Sequence, residues 1–497
     1  MRYAILPMQP TPNGRMHIGH GGGTYLRADA LARALRADGH DVRVGCGSDS
    51  YENWVLAAAA LEGRAAESVC AENDAGIRED LESLGIEVDV WVDPLSPEFR
   101  ESYVSRHGAL FRELQKSSRT RLVEESVPYS DLDGRPMMGT FIAGHCPSCG
   151  KAAGGSSCTS CGQHFQPEEL RDARSRLDGA SLTWRTVKSW FIMPGDGDDV
   201  LGALARQGVD PRELEVIAAY LARTPGRVRV SGPGTWGIPS ADIPSGQVLS
   251  NTYYAYCVYV SSLLWPEDDD EPFDSSSTVR TIGVFGTDNT VPGVLVPELT
   301  SAASERRLKP FDHVVVNGML DLDGRKCSTS QRYGIWLRDV LGRTMSSDEL
   351  RFALAGLDLD GGRSNLATST LLEDVRVYRE LVLERVRRVA QSVAGEERVE
   401  RSPDASLVDA QRRALGPERV VLPVAREVLV AHLRSDTDDP HGWLATARRL
   451  CAPLVPDLAG ALALPPGEVV RHVEAAVARE PVSKELLEKV IQRGSGR

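Results

Sequence analysis

The start of the chain restricts its possible folds more than any other part of the sequence. Residues 3–6 are apolar and predict a short strand, and the prolines and glycine within residues 10–14 predict a turn. A helix is predicted over residues 17–38, and the alternation over residues 42–46 predicts a second strand. This order is the first half of a β-α-β unit. It predicts an α/β fold with a doubly wound parallel sheet.

The rest of the chain divides where its sequence pattern changes. Residues 117–225 are irregular and glycine-rich around a group of cysteines, which indicates an insertion. Strand-like segments return at residues 227–230, 279–285 and 313–316. Beyond Ser346, which can form a capping box with Glu349, the pattern is mostly helical. The predicted domains are the first half of the sheet domain (1–116), the insertion (117–225), its second half (226–335), a connecting segment (336–372) and a helical domain (373–497).

Composition and charge exclude several classes of protein. The 497 residues are 41% hydrophobic, which is ordinary for a globular protein and excludes a largely disordered chain. A net charge of −13 argues against an unspecific nucleic-acid coat protein, although it leaves room for a local basic patch. We find no apolar run of about 18 residues and no signal-peptide pattern, so we predict a cytoplasmic protein without a membrane helix.

Four of the nine cysteines form one cluster, which consists of Cys146, Cys149, Cys158 and Cys161. Two CxxC pairs can place four thiolates around a tetrahedral Zn²⁺ ion, and the glycine after each pair allows a tight turn. Because sulfur would occupy all four positions, the predicted zinc is structural and not catalytic. The alternative is a set of free thiols, or a pair that has lost its metal.

Two further motifs suit a polyphosphate. Residues 13–20 lie at the predicted strand-to-helix turn, where backbone N–H groups and the imidazoles of His17 and His20 can contact an anion. A polar loop at residues 321–330 contains Lys326, which could contact the far end of a triphosphate. Each motif also has a structural alternative when it is considered alone. The first could be a helix start with incidental histidines, and the second could be a solvated turn.

Together these residues resemble the class I aminoacyl-tRNA synthetases and, within them, the methionyl-tRNA synthetases. Residues 17–20 match the family's HIGH signature, and residues 326–330 resemble its KMSKS loop. Residues 236–239, Trp-Gly-Ile-Pro, resemble the WGIP segment, and residues 286–288 resemble the family's GKD. The two CxxC pairs lie in the inserted connective domain, as they do in methionyl enzymes.

The resemblance implies a Rossmann-like catalytic domain with a zinc-knuckle insertion, a stem-contact-like segment and a reduced, anticodon-binding-like helical domain. It implies an ATP-dependent ligase that uses Mg²⁺ and forms an aminoacyl-adenylate, with a structural Zn²⁺. The implied catalytic residues are His17, His20 and Lys326. The implied ATP-binding residues are Gly19, Gly286, Asp288, Lys326, Ser328 and Ser330. The implied amino-acid-binding residues are Met8, Gln9, Thr11, Asp49, Leu249, Tyr256 and Val291.

Asp49 would hold the α-ammonium of the substrate by a charge-assisted bond. Its alternative is an Asx turn at a strand end. Thr329 departs from the family because it stands where KMSKS has its second lysine, so we expect slower adenylation unless Arg325 or Arg332 replaces that cation. The glycine run at residues 21–23 predicts either close approach of a ligand or a neighbouring backbone, or a frayed or shifted helix.

The side-chain pocket also departs from the methionyl pattern. Leu249 stands where the family has a tryptophan, and Val291-Pro292 stands where it has a Phe-His pair. Gln9 and Thr11 could hydrogen-bond a polar substrate side chain, or they could satisfy backbone groups. Methionine would fill such a pocket poorly, so we predict a different amino acid.

Three functional hypotheses follow. In the first, the chain transfers a non-methionine amino acid to a small-molecule amine or hydroxylamine, as in hydrazine-type natural-product biosynthesis, with a separate cupin-type protein as its partner. The alternative is a methionyl-type tRNA ligase. The third is a non-catalytic binding protein, against which the intact His17, His20, Asp49 and Asp288 count. The Arg-rich helix predicted near residues 371–394 could contact RNA or could be a solvated face.

Overall fold

The structure is a computed structural model, and its contacts divide the chain into two compact units. It describes residues 1–195, 199–223, 226–268, 270–329, 332–342, 344–360, 362–397 and 399–495. The first unit consists of Met1–Gly14, Arg43–Ala75 and Val88–Val316. The second consists of Arg15–Val42, Gly76–Glu87 and Asn317–Arg497. The five domain ranges given above stay predictions.

A five-stranded sheet forms the base of the first unit. Its strands lie in the order His313–Asn317, Arg280–Gly286, Arg2–Pro7, Asp41–Gly47 and Val90–Val92. The strand Arg2–Pro7 pairs in parallel with Arg280–Gly286, and Asp41–Gly47 pairs in parallel with Val90–Val92. The strands are buried along most of their length, as is typical of a parallel sheet covered on both faces. The predicted α/β fold and the strands at 279–285 and 313–316 are therefore confirmed.

The first unit also contains the long ribbon and the small sheets of the irregular region. Thr120–Ser130 pairs antiparallel with Leu182–Ile192, and Val228–Arg229 extends this ribbon to three strands. Two smaller sheets join Ile142–His145 with Ala152–Gly154 and Arg171–Ser175, and Ser231–Pro233 with Gln247–Leu249. The helical segments of this unit are Trp54–Glu62, Arg100–Gln115, Gly139–Phe141, Pro167–Glu169, Val200–Arg206, Pro211–Arg223, Tyr253–Ser262, Thr287–Asn289, Val291–Leu295 and Val296–Ala303. A further helix, Ala66–Ser83, contains residues of both units.

The second unit is mainly helical. Its helical segments are Ile18–His20, Gly21–Tyr25, Leu26–Ala37, Leu337–Val340, Ser347–Leu354, Thr368–Val377, Tyr378–Leu383, Glu384–Ser392, Ala405–Ala414, Leu422–Arg434, Pro440–Cys451, Pro456–Ala461, Pro466–Val477 and Lys484–Ser495. Its short strands are Leu320–Leu322, Arg325–Lys326, Ser364–Leu366, Leu415–Gly416 and Arg419–Val420. The predicted capping box is present, because the Ser346 hydroxyl accepts from the Glu349 N–H and the Glu349 carboxylate accepts from the Ser346 N–H. In the described parts of the chain, no helix combines the length and apolar character that a bilayer crossing requires.

The glycine run lies in a π-helical segment, Gly21–Tyr25, in the middle of the predicted helix. A Cβ on Gly21 would lie 2.8 Å from the Leu84 side chain, and one on Gly22 would lie 2.9 Å from Leu354. The glycines are therefore explained by close approach, although side chains and not a ligand or a backbone approach them. The helix is buried here and is not frayed.

One fully buried arginine joins three segments of the second unit. The Arg351 guanidinium donates to the Asp29 carboxylate over 2.6 Å and to the Leu84 carbonyl over 3.2 Å. It also donates to the carbonyls of Pro453 and Leu454. A buried charge is tolerated only with partners of this kind, so these bonds fix the positions of the helices that carry them.

Replacing Arg351 should destabilise the protein strongly. In Arg351→Ala, three backbone carbonyls lose their donor, while Asp29 keeps its contact with Arg33, so we expect a loss of about 3 kcal/mol in the free energy of unfolding. Urea unfolding measures this loss. The matched control is Arg338→Ala, which removes an exposed arginine from the same unit. Equal unfolding midpoints for the two variants would contradict the role given to Arg351.

Candidate functional site

The predicted amino-acid-binding residues follow the ends of neighbouring strands in the first unit. Met8 and Gln9 directly follow the first strand, and Asp49 lies just past the second. The Met8 N–H donates to the Val284 carbonyl over 2.8 Å, and the Asp49 N–H donates to the Pro10 carbonyl over 2.8 Å. These residues therefore lie at the carboxyl ends of the parallel strands, which is where doubly wound folds bind ligands.

The carboxyl group of Asp49 lies in an environment that disfavours its charge. Burial raises the pKa of Asp49, and the nearby carboxylate of Glu52 raises it further. A hydrogen bond from the Gln9 side chain lowers the pKa of Asp49 in part. The N–H of Glu52 donates to the Asp49 carbonyl, so the two carboxyl groups belong to one turn. A bound ammonium would restore the charged form of Asp49, because an opposite charge favours ionisation.

The predicted side-chain pocket lies within the core of the first unit. Leu249, Tyr256 and Val291 belong to one cluster of buried residues, and Met8 packs against that cluster. Within the described residues, the Gln9 Oε1 is buried without a hydrogen-bond partner, and the Tyr256 hydroxyl interacts only with the thiol of Cys46, a weak partner. Buried polar atoms normally have good partners, so Gln9 Oε1 is a candidate for contact with a polar atom of a ligand. Thr11 is half-buried, and its carbonyl accepts from Asn13.

An aromatic wall of this cluster was missed by sequence reasoning. A Cβ on Gly293 would lie 2.4 Å from the Phe285 ring, so the glycine makes room for that ring. Tyr253 packs edge-on against Phe285 with ring centres 6.1 Å apart. Phe285 and Tyr253 thus place two aromatic rings in the same buried cluster as Leu249 and Val291. The signal in the sequence was the phenylalanine directly before Gly286.

The predicted phosphate-binding residues converge in the second unit. The Gly19 N–H donates to His17 Nδ1 over 3.0 Å, and the rings of His17 and His20 stack with centres 3.9 Å apart. Burial, the neighbouring His20 and the charge of Lys326 hold the pKa of His17 well below its usual value. Burial and then Lys326 lower the pKa of His20 to about 4. Both imidazoles are therefore neutral at pH 7, beside a lysine ammonium. Trp336, which sequence reasoning missed, packs edge-on against His17.

The described residues of the loop that resembles KMSKS include one backbone pair. Ser328 and Tyr333 exchange backbone hydrogen bonds, and the Arg332 N–H donates to the Thr329 carbonyl over 3.1 Å. The Arg325 guanidinium carbon lies 4.3 Å from the centre of the Tyr333 ring, so Arg325 already forms a cation–π contact within the protein. Arg332 follows Thr329 in the same turn and is the better candidate to replace the missing lysine. Ser330 lies outside the described residues.

The residues predicted to contact adenine and ribose lie in different units. A Cβ on Gly19 would lie 2.9 Å from the His17 ring and 3.3 Å from Cys327, so protein atoms already use part of the space at this glycine. In the first unit, half-buried Gly286 and Asp288 follow a sheet strand, and the Asp288 carboxylate accepts from Asn289 over 3.3 Å. Their roles toward adenine and ribose stay predictions.

The four clustered cysteines converge as predicted. Their sulfur atoms all lie within 4.8 Å of one another, and the Cys146–Cys161 and Cys149–Cys158 sulfur distances are both 3.7 Å. A tetrahedral zinc with bonds of about 2.3 Å requires sulfur separations of about 3.8 Å. The glycines after the pairs, at positions 150 and 162, have φ of 70° and 73°, the left-handed turn that glycine allows. The donor set therefore fits a structural zinc ion.

Comparisons with known proteins agree with this architecture. The family model described as tRNA synthetases class I (M) matches residues 6–376. The methionine–tRNA ligase of Christiangramia forsetii is 28% identical over 366 residues, which cover 71% of this chain and 52% of that protein. The enzyme of Chlamydia trachomatis is 28% identical over 368 residues, which cover 72% of this chain and 65% of that protein. The chain thus spans between half and two thirds of the length of these curated relatives.

A solved structure shares the fold. The Mycobacterium tuberculosis methionyl-tRNA synthetase in complex with methionyl-adenylate superposes with a TM-score of 0.65 at 16% identity, covering 97% of each chain. A doubly wound sheet with polar residues gathered at its strand ends is typical of nucleotide-binding proteins. Within that class, the chain belongs to the class I tRNA synthetases, because their family model matches most of its length.

The cysteine cluster should bind zinc. We expect the purified chain to contain about one equivalent of zinc, and Cys149→Ser to lose most of it, because removing one thiolate opens the tetrahedral site. Metal analysis by mass spectrometry measures this without reference to activity. Cys451→Ala, at a buried cysteine of the second unit, should retain the metal. A wild-type chain that neither contains nor takes up zinc would refute the assignment.

Proposed function

We propose that this chain is an ATP-dependent ligase that activates an amino acid as its aminoacyl-adenylate. The cluster of His17, His20 and Lys326 is the observation that carries the proposal. Neutral imidazole N–H groups and one ammonium can contact phosphate oxygens and stabilise the negative charge that develops on pyrophosphate as it leaves. Mg²⁺ bound to the nucleotide would neutralise further phosphate charge.

In this proposal, Asp49 orients the second substrate. Its carboxylate holds the α-ammonium, which leaves the substrate carboxylate free to attack the α-phosphorus of ATP. A bond forms between the carboxylate oxygen and phosphorus, and the bond from phosphorus to the bridging oxygen of pyrophosphate breaks. The protein supplies position and electrostatic stabilisation, and no covalent intermediate with the enzyme is needed.

For the amino acid and the acceptor, we propose methionine and tRNA. The printed names of the curated relatives support this choice, since they are methionine–tRNA ligases, and so does the family to which the chain belongs. In this proposal, the helical region beyond residue 372 contacts the tRNA. Some of the exposed arginines in that region are paired locally, for example Arg376 with Glu373, and we assign no RNA contact to any of them individually.

A second candidate keeps the same activation chemistry but differs in both substrates. It is a non-methionine, polar amino acid transferred to a small-molecule amine or hydroxylamine, with a separate cupin-type protein as partner. The unpartnered Gln9 Oε1 favours this candidate, because an apolar thioether would leave it unpaired. The comparisons lend no support to the small-molecule acceptor or to the cupin-type partner.

Amino-acid-dependent ATP–pyrophosphate exchange, without tRNA, tests the proposal, followed by charging of bulk tRNA. We expect exchange that depends on methionine and tRNA that becomes charged. Exchange driven by a polar amino acid, without charging, would replace the first candidate with the second. Silence with every proteinogenic and N-hydroxylated amino acid would refute the activation chemistry itself.

Asp49 gives the amino-acid step a defined pH dependence. Because its pKa is raised, part of the carboxylate is protonated near neutral pH, so the KM for the amino acid should fall as the pH rises from 6 to 8. Asp49→Asn should raise this KM by about 10- to 100-fold and remove the pH dependence. Glu52→Gln is the matched variant, and it should shift the pH dependence to lower pH by removing the neighbouring charge. The same pH profile in all three proteins would exclude Asp49 from ammonium binding.

A further inference from the structure

The predicted insertion, residues 117–225, is hydrogen-bonded to the side chain of Asn53. The Asn53 Oδ1 accepts from the Thr140 N–H over 3.0 Å, and the Asn53 Nδ2 donates to the Met138 carbonyl over 3.2 Å. A Cβ on Gly139, between these two residues, would lie 2.3 Å from the Asn53 Oδ1. The contact therefore requires glycine at position 139, where φ is 55°.

Asn53 directly follows the turn from Asp49 to Glu52, which we call the amino-acid turn. The N–H of Glu52 donates to the Asp49 carbonyl over 3.1 Å, and the Glu52 carboxyl group accepts from the Asn53 N–H over 2.8 Å. The next residue, Trp54, begins a helix, and the guanidinium carbon of Arg176 in the insertion lies 5.0 Å from the centre of its ring. The insertion therefore holds the end of the amino-acid turn through two neighbouring side chains.

A second contact connects the insertion with the segment that contains Asp288. Glu213, on a helix of the insertion, is hydrogen-bonded to the Thr290 hydroxyl, and both side chains are buried. The Thr290 hydroxyl also donates to the Thr287 carbonyl over 2.9 Å. These bonds connect the insertion with the short helical segment Thr287–Asn289, which we call the nucleotide turn.

A proton on Glu213 would complete the hydrogen bonds at Thr290. A threonine hydroxyl donates one proton, whereas the Glu213 carboxyl and the Thr287 carbonyl both lie within bonding distance of it. Burial raises the pKa of Glu213, which favours its protonated form. A protonated Glu213 can donate to Thr290, so the Thr290 proton remains for the Thr287 carbonyl.

The two contacts are also joined within the insertion. Arg223, on the same helix as Glu213, donates to the Glu169 carboxylate over 2.9 Å. Glu169 lies two residues before the strand Arg171–Ser175. That strand pairs with Ile142–His145, which begins just after the first contact. Side-chain and strand pairing thus connect the two ends of the insertion that contact the two turns.

We propose that the insertion acts as a brace between the amino-acid turn and the nucleotide turn, with Asn53 and Glu213 as positioning residues. Asn53 would hold the Asp49 carboxylate where it meets the α-ammonium of the substrate. Glu213 would act through Thr290 and hold Asp288 beside the ribose. The brace would therefore fix the separation of the two substrate anchors. The inference rests on the proposed activation chemistry, which gives Asp49 and Asp288 these roles.

Asn53→Ala tests the first end of the brace in steady-state pyrophosphate exchange. Loss of two hydrogen bonds should raise the KM for methionine about tenfold and leave the KM for ATP within about twofold of the wild-type value. A merely structural role would reduce the amount of active protein, which lowers the apparent kcat without moving either KM. The matched control is Asn73→Ala, because half-buried Asn73 donates within its own helix, to the Val69 carbonyl. It should retain both KM values.

Glu213→Ala tests the second end of the brace in the same assay. It should raise the KM for ATP about tenfold and leave the KM for methionine within about twofold of the wild-type value. Glu213→Gln should retain both values, because its amide can donate to Thr290 as the protonated carboxyl does. Glu215→Ala removes an exposed carboxylate from the same helix and should also retain them.

Amide hydrogen–deuterium exchange of the ligand-free chain tests the brace without reference to activity. We expect Asn53→Ala to exchange faster at residues 49–54 but not at residues 286–290, and Glu213→Ala to show the reverse. Wild-type amide exchange at both segments in both variants would overturn the brace, as would a parallel rise of both KM values in either variant. A wild-type chain without pyrophosphate exchange would instead refute the proposed activation chemistry, and amide exchange would still decide whether the brace exists.

Discussion

A fully buried guanidinium must find acceptors for its N–H groups inside the protein, and Arg351 finds them in segments far apart in sequence. One of its acceptors, Asp29, lies in the helix Leu26–Ala37, which continues from the π-helical segment and from His17 and His20. In the same unit, Gly21 packs closely against Leu84 and Gly22 against Leu354. The positions of the two imidazoles therefore follow from a buried charge and from glycine packing, remote from any ligand.

The two clusters of functional residues share one electrostatic property. In the second unit, burial keeps His17 and His20 uncharged beside Lys326, and a bound anion would favour their protonated forms. In the first unit, burial and Glu52 disfavour the charge of Asp49, and a bound cation would favour it. Groups whose usual charged form is disfavoured by their surroundings are common at functional sites. Here the ligand charges that would restore the charged forms are those of a triphosphate, for the two histidines, and of an amino-acid ammonium, for Asp49.

Local patterns predicted much of this molecule. The strands Arg280–Gly286 and His313–Asn317 and the cysteine cluster followed from sequence pattern and spacing. The sheet order, the two-unit division and the bonds of Arg351 did not, because they join residues distant in sequence, and periodicity contains no information on such pairing. The sequence also did not predict that Glu52 raises the pKa of Asp49. The two residues are only three positions apart, but the effect depends on the burial of both carboxyl groups.

The side-chain pocket shows why family membership and substrate choice have different physical origins. In the proposed function, phosphate chemistry depends on a few charged or imidazole groups at fixed backbone positions, for which His17, His20 and Lys326 are the candidates. Pocket volume, by contrast, is redistributed by packing, since Gly293 admits the Phe285 ring where a larger residue would exclude it. Volume alone is therefore a weak guide to the substrate. The unpaired Gln9 Oε1 is a stronger one, because a ligand that leaves a buried polar atom unpaired loses about 1–3 kcal/mol of binding free energy.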